Sequence, residues 1–206
     1  HQGIVTATVG GFGDVVHTFV ERAPDVDVRS LPGLIPTTGV ERSDTGLREV
    51  DHFAVCLEAG RLDPTVDFYC DVFGFTVIFT EHIVVGAQAM HSKVVQSPSG
   101  RVTLTLIEPD PSRQPGQIDD FLKNHAGPGV QHIAFSTDDI VRTIGLLRDR
   151  GTDFLTTPDA YYQALSQRIE PMKHSVEELR RFHLLVDEDH GGQLFQIFAR
   201  STHPQR

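Results

Sequence analysis

Val50-Asp51-His52-Phe53-Ala54-Val55 and Val130-Gln131-His132-Ile133-Ala134-Phe135 carry one pattern, Val-x-His-(Phe/Ile)-Ala-(Val/Phe), eighty positions apart. Apolar and polar residues alternate in both copies, which predicts a half-buried strand each time. After Gly60, the apolar residues from Leu62 to Phe73 fall at helical spacing, and Gly74 stands where a left-handed C-cap would close the helix. Phe75–Phe79, Ile83–Val85, Met90–Gln96 and Val102–Ile107 read as strand runs, with Ser97-Pro98-Ser99-Gly100 turning the last two into a hairpin. The second copy is followed by a predicted helix from Asp138 to Arg148, ending at Gly151, and by a short strand at Asp153-Phe154-Leu155. Tyr161–Arg168 reads as a helix, and Ser175-x-x-Glu178 as a capping box that opens another. Leu184–Val186 and Gln193–Phe198 are expected strands around the turn Asp187-Glu188-Asp189-His190-Gly191-Gly192. The fold class is therefore α+β: paired βαβββ modules at about 49–110 and 129–206, the second expected to lack its last strand at Arg206.

Upstream of the first copy, Ile4–Val9 and Val15–Val20 flank Gly10-Gly11-Phe12-Gly13-Asp14, a hairpin signature. A lone hairpin is too small to fold by itself, so residues 1–22 are expected to end a preceding N-terminal domain. Residues 23–48 hold Pro24, Pro32 and Pro36 without periodicity and read as a linker.

Composition narrows the class of partner. Of 206 residues, 39% are hydrophobic and 22% charged, a normal globular balance. The formal charge of −10 with no basic cluster argues against nucleic acid and anionic membranes. No apolar run is long enough to span a bilayer. His1-Gln2-Gly3-Ile4-Val5 does not read as a secretory leader, and Cys56 and Cys70 read as buried hydrophobes of a reducing compartment, so a cytoplasmic location is expected. Eleven histidines against two cysteines direct the search for metal ligands to imidazoles and carboxylates.

One histidine on a strand is ordinarily a core or surface residue with a satisfied hydrogen bond. Two at equivalent places in a repeat are different. If the modules pack about a pseudo-two-fold, their first strands become neighbours, and His52 and His132 converge. Two imidazoles alone suit iron and zinc alike; with one carboxylate and open positions they form the facial set of non-haem Fe(II) oxygenases. The competing reading is a pair of structural histidines. His82, His91, His125, His174 and His190 are given no role.

The stretches Val50-Asp51-His52, Ser92-Lys93-Val94-Val95, Gln117-Ile118-Asp119-Asp120-Phe121-Leu122, Gly129-Val130-Gln131-His132-Ile133-Ala134 and Leu194-Phe195-Gln196-Ile197-Phe198 resemble the family of 4-hydroxyphenylpyruvate dioxygenase and its sister 4-hydroxymandelate synthase. The match runs in order from about residue 4 to the end. The resemblance implies the vicinal-oxygen-chelate (glyoxalase/dioxygenase-like) fold, Fe(II) as cofactor, and residues 49–206 as the metal-binding catalytic domain, lacking its C-terminal end. It implies His52 and His132 as metal ligands, and a third, a glutamate, expected shortly past Arg206; Gln193 and Gln196 precede that place. Ser92, Gln117, Gln131 and Gln196 match polar positions of the family's substrate pocket, and Phe198 an aromatic wall. The implied partners are a small 2-oxo acid and O₂, and a homodimer is left open.

One stretch separates the sister activities. Typical 4-hydroxyphenylpyruvate dioxygenases read Phe-Pro-Ile-Asn-Glu-Pro where this chain reads Leu104-Thr105-Leu106-Ile107-Glu108-Pro109. Thr105 and Ile107 resemble the synthase, as do Glu81–Met90 and Glu188–Gly192. The resemblance then implies oxidative decarboxylation and benzylic hydroxylation of 4-hydroxyphenylpyruvate to 4-hydroxymandelate, on a route to hydroxyphenylglycine for a peptide antibiotic. Ring oxidation to homogentisate is the alternative activity, and a metal-free binding protein on the same fold is the alternative of another class.

Overall fold

In Phe53-Ala54-Val55-Cys56, successive side chains serve two different cores, and this alternation organises the first half of the molecule. The computed structural model describes residues 3–31, 33–34, 44–170, 173–189 and 191–201, without the side chains of Ser166 and Asp189. Pro32, Pro36 and His190 lie outside the described residues. The chain divides into two units, one formed by the described residues of 1–43 and 50–135, the other by those of 44–49 and 136–206.

The first unit holds the hairpin β1 (Ile4–Gly10) and β2 (Val16–Arg22), then β3 (Leu47–Cys56), α1 (Leu62–Phe73), β4 (Thr76–Val85), β5 (Gln88–Gln96), β6 (Thr103–Pro109), α2 (Gln117–His125) and β7 (Gly129–Thr137), with the ends of β3 and β7 reaching into the second. One sheet takes the order β4-β5-β6-β3-β7, with β3 parallel to β6 and β4, β5 and β6 successively antiparallel. Gly74 caps α1 at φ 66°, a conformation that costs a residue with a Cβ.

On one face of the sheet, Val55, Leu57, Val95, Leu104 and Leu106 meet Leu62, Val66 and Tyr69 of α1. Burying each such aliphatic side chain contributes about 1.5–3 kcal/mol. The hairpin joins this core through Phe12, with Val15 beside it, and His17 Nε2 lies 2.7 Å from the Tyr69 hydroxyl. On the other face, Cys56, Met90 and Ile107 pack with Ile118 of α2, flanked by Phe121 and Leu122.

The second unit contains α3 (Ile140–Asp149), α4 (Asp159–Arg168), α5 (Val176–Phe182), β8 (Leu185–Asp189) and β9 (Gly192–Gln196). Its core joins Ile144, Phe154, Tyr162, Leu165, Leu179, Leu184 and Val186. The Tyr161 and Tyr162 hydroxyls donate to the Val186 and Leu184 carbonyls at 2.9 and 3.0 Å, tying α4 to the start of the β8–β9 hairpin.

Several local expectations need correction. The expected runs Phe75–Phe79, from Thr76 on, and Ile83–Val85 are parts of the single strand β4, because Thr80-Glu81-His82 continues its alternation and pairs with Ser92-Lys93 and His91. A register shift between Val77 and Phe79 disguises that continuity. Asp153-Phe154-Leu155 makes only an isolated bridge, Phe154 to Ala199. The acidic turn is shorter than expected, since Asp187, Glu188 and Asp189 pair with Leu194, Gln193 and Gly192, and the second strand stops at Gln196. Half of the predicted capping box forms: the Glu178 amide donates to Ser175 Oγ at 3.2 Å, while the Glu178 carboxylate turns to His174 Nδ1 at 3.0 Å. Cys56 is buried as expected, its thiol pushed up to about 12 by desolvation, whereas Cys70 is only half-buried.

Candidate functional site

The two copies of the Val-x-His pattern become β3 and β7, which are neighbours in the sheet. Their imidazoles meet edge to face, with ring centroids 5.7 Å apart. His52 Nδ1 lies 2.7 Å from Asp51 Oδ2, and His132 Nδ1 lies 3.2 Å from Gln131 Oε1. A proton on each Nδ1 satisfies these oxygens and puts the lone pair on Nε2, the tautomer a metal-binding histidine needs. Burial, and then the charge of His52, lower the His132 pKa from its ordinary value, which favours the neutral, metal-binding form.

The alternation that places His52 carries forward along β3 to Ala54 and Cys56. Ala54 pairs with Thr105 and Cys56 with Ile107, while Ile107 pairs with Ser92 on β5. Partners in register point to the same side of a sheet, so His52, Thr105, Ile107 and Ser92 share one face. Ser92 and Ile107 are 4% and 9% exposed, which marks the far end of that face as enclosed. Gln117 is the first residue of α2 and is itself exposed, while Ile118 behind it packs on Ile107 and Met90. Gln131 serves His132 through its amide oxygen. Gln196 and Phe198 belong to the second unit, Gln196 paired with Leu185 at the end of β9 and Phe198 accepting the Leu155 amide at 2.9 Å.

Two imidazoles that could serve as metal donors are thus together. No carboxylate among the described residues completes a compact three-ligand cluster with them. Such a cluster does exist elsewhere in the first unit, at His82, His91 and Asp110, which sequence reading missed. Only the strand register brings these three together, and their spacing carries no metal signature of its own.

Residues 49–197 match the Glyoxalase/Bleomycin resistance protein/Dioxygenase superfamily. The chain belongs to this superfamily. The vicinal-oxygen-chelate expectation is therefore met. A solved mutant of 4-hydroxymandelate synthase from Streptomyces coelicolor is similar, with a TM-score of 0.78 and 42% identity over 97% of this chain and 56% of that one. A probable 4-hydroxyphenylpyruvate dioxygenase from Aspergillus fumigatus is 35% identical over 97% of this chain and 52% of its own length. The 4-hydroxyphenylpyruvate dioxygenase of Dictyostelium discoideum is 32% identical over 98% of this chain and 58% of its own length. The chain spans about half the length of the curated relatives it matches. Members of this superfamily generally use a metal. Among the described residues, no helix is long and apolar enough to cross a membrane.

Proposed function

We propose that the protein is an Fe(II)-dependent dioxygenase of 4-hydroxyphenylpyruvate that releases CO₂ and forms 4-hydroxymandelate. The observation that carries this reading is the approach of His52 and His132 on neighbouring strands, with Thr105, Ile107 and Ser92 on the face of His52. His52 and His132 would hold the metal; among the described residues no carboxylate forms a compact group with them. When bound, Fe(II) would supply the activation of O₂ by which a 2-oxo acid loses CO₂, one oxygen atom ending in the new carboxylate and the other in the remaining arylacetate.

The chain's own residues then decide where the aryl group lies. From His52 to Cys56, beside Ile107, the strand advances four residues, about 13 Å at a strand's rise per residue. An aryl 2-oxo acid held at the histidine end can lay its ring over Thr105 and bring its phenol towards Ile107 and Ser92. Ser92 offers a hydroxyl there, and the amides of Gln117 and Gln131 are the proposed partners for the remaining polar groups. Cys56, Met90 and Ile118 keep the Ile107 end apolar. Ile107 offers no hydrogen bond to fix the ring, which leaves the benzylic carbon, next to the group held at the histidine end, as the better-placed target.

The 42% identity to a 4-hydroxymandelate synthase supports this product. The names of the 35% and 32% identical relatives favour 4-hydroxyphenylpyruvate dioxygenase as the second reading, the alternative for which homogentisate is the expected product. Chromatographic analysis of the protein incubated with 4-hydroxyphenylpyruvate, Fe(II) and O₂ separates the two. 4-Hydroxymandelate as the main product is expected; homogentisate would reject the synthase reading, and substrate binding without metal-dependent turnover would leave a binding protein. In the same assay Ile107→Asn is expected to move a measurable fraction of product from benzylic to ring oxidation. An unchanged ratio removes Ile107 as a selectivity residue.

A further inference from the structure

The opposite face of the sheet from His52 carries a second group of potential ligands. His82 on β4 pairs with His91 on β5, and His91 pairs with Glu108 on β6. Glu108 alternates with Ile107, so both imidazoles project away from the face that holds Ser92, Ile107 and His52. Asp110 follows the end of β6, its amide donating to the Ala89 carbonyl at 3.0 Å.

The three side chains are already oriented. The imidazoles of His82 and His91 stack with centroids 4.4 Å apart and an interplanar angle of 16°. Asp110 Oδ1 accepts from the Ser112 amide at 2.9 Å and its hydroxyl at 2.6 Å. That leaves Oδ2 facing the rings, 3.0 Å from His82 Nε2 and 3.8 Å from His91 Nε2. Three candidate donor atoms lie within 4.8 Å of one another. The contact to His91 is too long for a hydrogen bond, so Asp110 alone does not satisfy both rings. A cation among them would, after small side-chain rotations to metal–ligand distances near ~2.0–2.2 Å.

We propose that His82, His91 and Asp110 form a second divalent-metal site, distinct from the His52–His132 pair. Two imidazoles and one carboxylate suit Fe(II), Zn(II), Co(II), Ni(II) or Cu(II) rather than Ca(II) or Mg(II). The Asp110 carboxyl is held down at about 2 by the Ser112 hydroxyl and amide, with a smaller contribution from His82, and is therefore ionised for such a cation. The site borders a cleft of about 320 Å³ lined also by Lys93, Glu108 and Asp63, leaving room for solvent or a small anion on the metal. Bound metal would fasten the edge strand β4 to the loop after β6.

The test is titration with Co(II), followed by its visible absorption bands, and with Zn(II), followed by calorimetry. The background is His52→Ala with His132→Ala, so that metal held there is not at the first pair. One equivalent is expected, with affinity at least about tenfold weaker when His91→Ala or Asp110→Asn is added. No binding by the background variant overturns the proposal, as does binding unaffected by His82→Ala with His91→Ala. Should circular dichroism show that the background variant is unfolded, His82→Ala with His91→Ala in the otherwise unaltered chain must lower the metal count by one equivalent. An unchanged count is equally fatal. These outcomes do not depend on which reaction the protein performs.

Discussion

His132→Ala is expected to weaken Fe(II) binding by about 100-fold or more and to remove product formation with 4-hydroxyphenylpyruvate. The variant deletes one of only two imidazoles that approach each other on β3 and β7. A ligand's orienting partner alone is typically worth 10–100-fold in metal affinity, so the ligand itself should cost at least the upper end of that range. Asp51→Asn provides the graded control, since it keeps an oxygen near His52 Nδ1 but removes the carboxylate charge that holds the ring. Its loss should fall within the 10–100-fold range. Competition against a chromogenic Fe(II) chelator measures both variants, with circular dichroism confirming that each is folded. His132 is only half-buried, so its truncation should leave the strand in place. Retention of parental Fe(II) affinity by a folded His132→Ala protein that also carries His82→Ala and His91→Ala would end the proposed metal role of the pair.

Tyr69→Ala should carry the largest stability cost in the first unit, about 3–5 kcal/mol by analogy with aromatic truncations in cores. Tyr69 is 1% exposed and touches Phe68, Phe73 and Phe75 at centroid distances of 5.4, 5.9 and 5.5 Å. It also borders an apolar cavity of about 590 Å³ shared by the hairpin and α1, so the space left by its ring would enlarge an existing void rather than close. Its hydroxyl reaches His17 on β2, the polar tie between hairpin and helix. Tyr69→Phe should cost only about 1 kcal/mol, the net value of one hydrogen bond. Urea denaturation gives both numbers, and faster amide exchange in Val16–Arg22 would place the loosening at the hairpin. A Tyr69→Ala loss under 1 kcal/mol would show that the hairpin and α1 cohere without it.

The features legible in the sequence were those written in short range. Leu62–Phe73 with Gly74 gave helix and cap directly, because helical period and a left-handed glycine are local properties. His52 and His132 could be matched because repetition is visible without coordinates. Helix α2 was within reach but missed: Ile118, Phe121 and Leu122 fall at helical spacing, and Asp119 Oδ2 accepts the Gly116 amide at 2.8 Å. Strand β4 was divided because Thr80-Glu81-His82 is polar, yet β4 is an edge strand on which outward polar residues are common. The meeting of His82, His91 and Asp110 was beyond sequence reading, since it depends on which residues of β4, β5 and β6 stand opposite one another.

Residues 91 and 92 are neighbours in the chain but look in opposite directions, the imidazole towards Asp110 and the hydroxyl towards the face of Ile107. A single-residue insertion or deletion inside β5 would interchange the two addresses downstream of the change, sending Lys93 to the face of Thr105 and Val94 to the face of Leu106. Gain or loss of one codon in this stretch should therefore be far more damaging than most point substitutions, since it scrambles both surfaces at once.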